Sequence, residues 1–219
     1  MKFFIDTANL DEIKEMADLG IVDGVTTNPS IIAREGKDLK ETLIKICNMV
    51  DGPISGEVLA MDAETMVKEG TEIASWHKNM VVKIPMTQEG IKAVGELSKK
   101  GIKTNVTTIY DAAQALIAAK AGATYVSPFV GRSDDVLMSG LAMLNQISRI
   151  FRIYNIKTEI IAASMRTPAY VIGAAEAGSD IATIPYDCMK KMFWHPMTDV
   201  SIDGFMIDWK NAMGDKKIL

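Results

Sequence analysis

Cysteine and histidine are both scarce. Cys47 and Cys188 are the only cysteines, and His77 and His195 the only histidines. Two thiols so far apart make neither a disulfide framework nor a metal-ligand spacing, and they suit a reducing, cytoplasmic setting. Two scattered histidines give no metal centre, so neither a metal nor any other cofactor is expected. No apolar run approaches the roughly 20 residues that cross a membrane. The opening Met1-Lys2-Phe3-Phe4-Ile5-Asp6 meets an acid too early for a signal peptide. An excess of basic charge is also missing. Lys and Arg number 24 against 28 Asp and Glu, a formal charge of −4. That argues against a nucleic-acid partner. No Gly-x-Gly-x-x-Gly follows a strand candidate, and the phosphate-loop and zinc-protease patterns are absent. Asn105-Val106-Thr107 has the form of a glycosylation sequon, which means nothing without secretion.

What the chain does have is a lysine in an unusual place. Lys83 interrupts the β-branched run Met80-Val81-Val82-Lys83-Ile84-Pro85. Such a run reads as a strand buried on both faces. An ammonium group there must be paired or lose its proton. Tied to a carboxylate it is structural. Deprotonated, it is a nucleophile able to form a Schiff base with a carbonyl.

Eight short runs of this kind recur: 2–7, 24–27, 54–59, 80–84, 103–107, 124–130, 159–163 and 181–184. Each of the first seven precedes a helical pattern with its own start or stop signal. Asn9, Asp62, Thr87 and Asp111 read as helix openings, and Asn28-Pro29 starts a short turn. Ser133-Asp134-Asp135 is expected to open a long helix, and Thr167-Pro168 the next. Lys83, Asn105 and Ser127 are spaced 22 residues apart. That suits compact β-helix-β units, and eight units predict a single-domain (β/α)8 TIM barrel spanning residues 1–219. A doubly wound open sheet is the alternative.

Side chains on a strand alternate between faces. Ser55 shares a face with Glu57, Asn105 with Thr107, and Ser127 with Phe129. Asp6, Asn28, Lys83 and Ser164 fall at or near the C-terminal ends of their strands. A barrel gathers those ends into one pocket, the face where such folds keep their chemistry. Arg132 and Arg166 follow adjacent strands and would stand at the rim. Taken singly, each reads either as a phosphate ligand or as a member of a solvated ion pair, Arg132 with Asp134 or Asp135, and the two together after adjacent strands point toward phosphate.

Six motifs in order carry a resemblance over the chain from Phe3 to about Asp208. They are Phe4-Ile5-Asp6-Thr7-Ala8, Gly24-Val25-Thr26-Thr27-Asn28-Pro29-Ser30, Gly56-Glu57-Val58, Val82-Lys83-Ile84-Pro85, Thr104-Asn105-Val106-Thr107 and Tyr125 to Arg132. They resemble the short-chain branch of the transaldolase family, which includes the fructose-6-phosphate aldolases. The resemblance implies that Lys83 is the Schiff-base lysine and Asp6 the acid/base at the C4 hydroxyl. It implies that Glu57 and Thr107 shuttle protons through a bound water. Thr26, Asn28, Asn105 and Ser127 would bind the donor sugar, with Phe129 beside them, and Arg132, Ser164 and Arg166 would bind phosphate.

Two positions separate the branches. The aldolases resemble one another in a glutamine at the place of Glu57 and a tyrosine at the place of Phe129. The resemblance therefore implies a metal-independent transaldolase that moves a dihydroxyacetone unit from fructose 6-phosphate or sedoheptulose 7-phosphate to an aldose phosphate. The alternatives are an aldolase releasing free dihydroxyacetone and a non-catalytic sugar-phosphate binder. Met165 and Tyr186 depart from the neighbouring family motifs, and Tyr186 could reach the pocket. Beyond the repeats, Phe205, Trp209 and Met213 recur every four residues, predicting an amphipathic helix over 203–213. That helix would brace its own barrel or pack on a neighbouring subunit, and the resemblance favours the second, in a pentamer or decamer.

Overall fold

The computed structural model describes residues 1–36 and 38–216. Residues 37 and 217–219, part of the span expected for the single domain, lie outside the described residues. The strands are β1 (Lys2–Asp6), β2 (Gly24–Thr26), β3 (Ile54–Glu57), β4 (Met80–Pro85), β5 (Thr104–Ile109), β6 (Tyr125–Pro128), β7 (Glu159–Ala162) and β8 (Ile181–Ile184). All pair in parallel and in chain order, and β8 returns to β1 to close the barrel. This is the (β/α)8 TIM barrel expected from the alternation of elements.

The helices are α1 (Leu10–Asp18), α2 (Pro29–Glu35), α3 (Leu39–Met49), α4 (Ala63–Ser75), α5 (Gln88–Lys99), α6 (Ala112–Lys120), α7 (Val130–Asp134), α8 (Gly140–Ile153), α9 (Pro168–Glu176), α10 (Tyr186–Lys191) and α11 (Pro196–Met213). Side-chain oxygens of Asn9, Asp62, Thr87 and Asp111 accept first-turn N–H groups. Those are the openings read from sequence, and each satisfies donors that the helix cannot.

Two helices differ from expectation. The long helix after β6 opens at Ser139, not at Ser133-Asp134-Asp135, because Ser139 accepts the Ala142 N–H. Asp134 instead accepts the Gly140 N–H at 2.9 Å, tying together the two helices that flank the turn. The C-terminal helix is longer than 203–213. It starts at Pro196, whose missing N–H costs nothing in the first turn, and His195 caps it through Nδ1 at 3.1 Å from the Met197 nitrogen. No residue of α11 is buried. Among the described residues no helix is long and apolar enough to cross a membrane.

The apolar residues divide into two cores. The larger lies between strands and helices. The smaller comprises Phe4, Val81, Tyr125, Ile161 and Ile181, one residue from each of five strands. Gly24 makes room for it: a Cβ there would meet the Phe4 ring at 2.6 Å. Two residues further along the same strands stand Asp6, Lys83, Ser127, Ala163 and Thr183, all lining one cavity. The period of two thus puts an apolar plug across the barrel interior and polar groups directly above it.

Candidate active site

Lys83 is only 6% exposed. Its Nζ lies 3.1 Å from Glu57 Oε2 and donates to the Thr27 carbonyl at 2.9 Å. Strand register explains the pair, since Glu57 on β3 stands directly beside Lys83 on β4. The buried lysine is thus provided with a carboxylate partner. Removing either partner would strand a buried charge, at a cost of about 3–5 kcal/mol.

Above the lysine lies a cavity of about 110 Å³. On one wall Thr26 donates to Asp6 Oδ1 at 2.9 Å and meets the Thr183 hydroxyl at 2.6 Å. Thr183 was not singled out in the sequence. The signal was available, because it follows the plug residue Ile181 by two. Asn28 also lines the cavity. Its Oδ1 accepts the Ile31 N–H at 3.0 Å as the cap of α2, leaving the amide nitrogen as the group able to serve a ligand.

The opposite wall holds Thr107, whose Oγ1 is buried with no hydrogen-bond partner among the described residues. A buried hydroxyl of this kind is a group suited to a water or ligand hydroxyl. Residues around it are irregular: the β5–β6 register shifts between Val106 and Ile109, and Thr108 has φ 59°. Asn105 lies deeper than expected of a sugar ligand. It is fully buried, donates to Ser55 at 3.3 Å, and accepts from the Ser127 hydroxyl at 2.7 Å. It does not line the cavity but fixes Ser127, which does. The Phe129 ring lines the cavity with Tyr110 edge-on at 5.8 Å and the Arg132 guanidinium over it at 5.1 Å.

Arg132 and Ser164 reach the cavity, whereas Arg166 does not line it. Both terminal nitrogens of Arg166 pair with the two oxygens of Asp135, Nη1 to Oδ1 at 2.6 Å. The Arg166 hydrogen bond holds the Asp135 carboxyl below the usual carboxylate range, with Arg132 adding to the effect. Ser164 adopts φ 62°, and its carbonyl would stand 2.4 Å from a Cβ at Gly131, so only glycine permits that approach. Tyr186 lies at the edge of the site: it lines an adjoining pocket together with Asp6, Asn28 and Arg132, and its hydroxyl donates to Glu15 Oε2 at 2.5 Å. Met165 is fully buried in the outer core.

The same chain matches the family model described as transaldolase/fructose-6-phosphate aldolase over residues 3–216. The chain belongs to that family. It is 60% identical over 212 residues to a protein from Clostridium acetobutylicum named probable transaldolase, covering 97% of this chain and 99% of that one. A protein of the same name from Caldicellulosiruptor saccharolyticus is also 60% identical, over 97% of this chain and 98% of its own. Another from Methanococcus maripaludis is 58% identical, over 97% and 99%. Among solved structures, the thiamine phosphate pyrophosphorylase of Pyrococcus furiosus superposes with a TM-score of 0.60 at 16% identity, over 84% of this chain and 85% of that one. That likeness shows the barrel alone. Membership of the family makes the chain an enzyme and the cavity its candidate active site.

Proposed function

We propose that the protein is a class I transaldolase that moves a dihydroxyacetone unit between sugar phosphates, with Lys83 as the covalent nucleophile. The observation that carries this reading is the pairing of Lys83 with Glu57 at 3.1 Å beneath a polar cavity. Glu57 can take the proton that Lys83 must lose before attack. The Lys83 amine then adds to the ketose C2, and the C2 oxygen leaves as water to give a protonated imine. Glu57 pairs with the amine and Thr107 lines the same cavity, so a water accepting from the Thr107 hydroxyl would relay those protons.

Asp6 takes the C4 hydroxyl proton, the C3–C4 bond breaks, and its electrons enter the imine to form an enamine. The shortened aldose phosphate departs. The enamine C3 then attacks the aldehyde carbon of an incoming aldose phosphate, Asp6 returns its proton to the new C4 oxygen, and hydrolysis of the new imine returns free Lys83. Ser127, held by Asn105, and Asn28 would bind donor hydroxyls, with Thr26 fixing Asp6. Arg132, Ser164 and Arg166 would receive phosphate.

Phe129 decides between transfer and release. Its ring carries no hydroxyl with which to protonate the enamine or orient a water for it. The enamine therefore waits for an aldehyde. The test is fructose 6-phosphate with and without erythrose 4-phosphate. Product that needs the acceptor supports a transaldolase, and free dihydroxyacetone at a comparable rate supports an aldolase. The exposed apolar length of α11, including Phe205, Trp209 and Met213, supports packing on a neighbouring subunit, which sedimentation would test.

A further inference from the structure

The two arginines offered to a substrate phosphate are not equally available. Arg132 lines the cavity, while both terminal nitrogens of Arg166 are turned to Asp135. The side chains of that pair are 45% and 52% exposed, so packing does not force them together. Nor is Asp135 needed to brace the turn between α7 and α8. Its neighbour Asp134 does that, accepting the Gly140 N–H at 2.9 Å and the Tyr170 hydroxyl at 2.6 Å. The Asp135 carboxylate also feels the charge of Arg132. Arg166 Nε and the Ser164 hydroxyl lie together over Gly131, 3.0 and 3.1 Å from the place its Cβ would take. One carboxylate therefore stands among groups suited to an anion.

We infer that Asp135 is a specificity-determining residue, a built-in anionic competitor for Arg166 that a terminal phosphate displaces and an uncharged sugar end does not. The inference rests on the reading of Arg166 as a phosphate ligand. Carboxylate and phosphate both fit the arginine fork with two parallel hydrogen bonds. A phosphate dianion brings two charges against one and exchanges one ion pair for a stronger one. A sugar hydroxyl would have to replace two bonds to a charged carboxylate with a weaker bond to an uncharged acceptor, which is unfavourable. The pair lowers the apparent affinity for phosphate by the fraction of time Arg166 is free. In return, the empty enzyme presents a satisfied arginine that ignores unphosphorylated sugars.

The experiment compares Asp135→Asn, Asp135→Ala and Arg166→Ala with the parent enzyme. It measures the KM for fructose 6-phosphate and the inhibition constants of inorganic phosphate and of fructose, with circular dichroism to confirm folding. Both Asp135 variants are expected to lower the KM and the phosphate inhibition constant by about fivefold, the scale of an exposed ion pair, with a much smaller change for fructose. Unchanged constants, or a weakening of both phosphate-bearing ligands, would overturn the inference; weakening would mean that Asp135 aims Arg166 and does not compete for it. Arg166→Ala separates the two levels. If it affects phosphate and fructose alike, the phosphate reading itself fails. If it weakens phosphate selectively while the Asp135 variants change nothing, only the competitor role fails.

Discussion

Glu57 and Lys83 are register partners on adjacent strands, and their side chains meet at 3.1 Å inside the barrel. Neither is a surface charge. The pair is placed where a proton can pass from the ammonium to the carboxylate without reaching bulk water.

Replacing Lys83 by Met keeps the volume and removes the amine. Turnover is expected to fall by at least ~10³-fold, as when a covalent nucleophile is lost. The far-ultraviolet circular dichroism should persist, with stability lowered by about 3–5 kcal/mol because Glu57 loses its partner. Retention of about a tenth of the activity in a folded variant would contradict an imine mechanism.

Thr107→Val deletes a buried hydroxyl that has no partner among the described residues. Denaturant unfolding should show a stability change of no more than about 1 kcal/mol, because no hydrogen bond to another described residue is lost. The same variant should lower kcat, because the relay to Glu57 loses a member. Loss of stability with full activity would mean that the hydroxyl serves the fold instead.

Phe129→Tyr introduces a hydroxyl at the cavity wall. Acceptor-independent release of dihydroxyacetone from fructose 6-phosphate should rise by about tenfold or more, the lower range of general acid catalysis. An unchanged partition between transfer and release would show that this ring does not govern it.

Arg166→Ala should raise the KM for phosphorylated sugars by about tenfold or more, the scale of hydrogen bonds to a charged group. The change for unphosphorylated sugars should be under about twofold on the same reasoning. Steady-state kinetics on matched pairs of substrates measures both.

The thiols offer a check that is independent of catalysis. Burial pushes Cys47 up to about 11 and also raises Cys188. A raised pKa leaves the thiol protonated at pH 8, so neither should react with a thiol reagent there until the protein unfolds. Rapid labelling of the native enzyme would contradict the burial of both.

The barrel was legible because its two periods are: β-branched runs alternating with capped helical stretches leave few other solutions. The polar residues that follow the plug residues by two, Asp6, Lys83 and Ser127, were legible for the same reason. Contacts that depend on which way a long side chain turns were not. Tyr186 could be placed after β8, but its Glu15 partner lies 171 residues away in the chain. Arg166 read equally as a phosphate ligand or an ion-pair member, and only the fold brought Asp135 within reach. The late start of α8 was hidden because Ser133 and Ser139 are both good caps, and the tie from Asp134 to Gly140 decides between them.

The most direct test is reduction of the enzyme by borohydride in the presence of fructose 6-phosphate, followed by peptide mass mapping. The account predicts a stable mass gain of a reduced sugar fragment on Lys83 and on no other lysine. An unmodified Lys83, or label on a different residue, would contradict it.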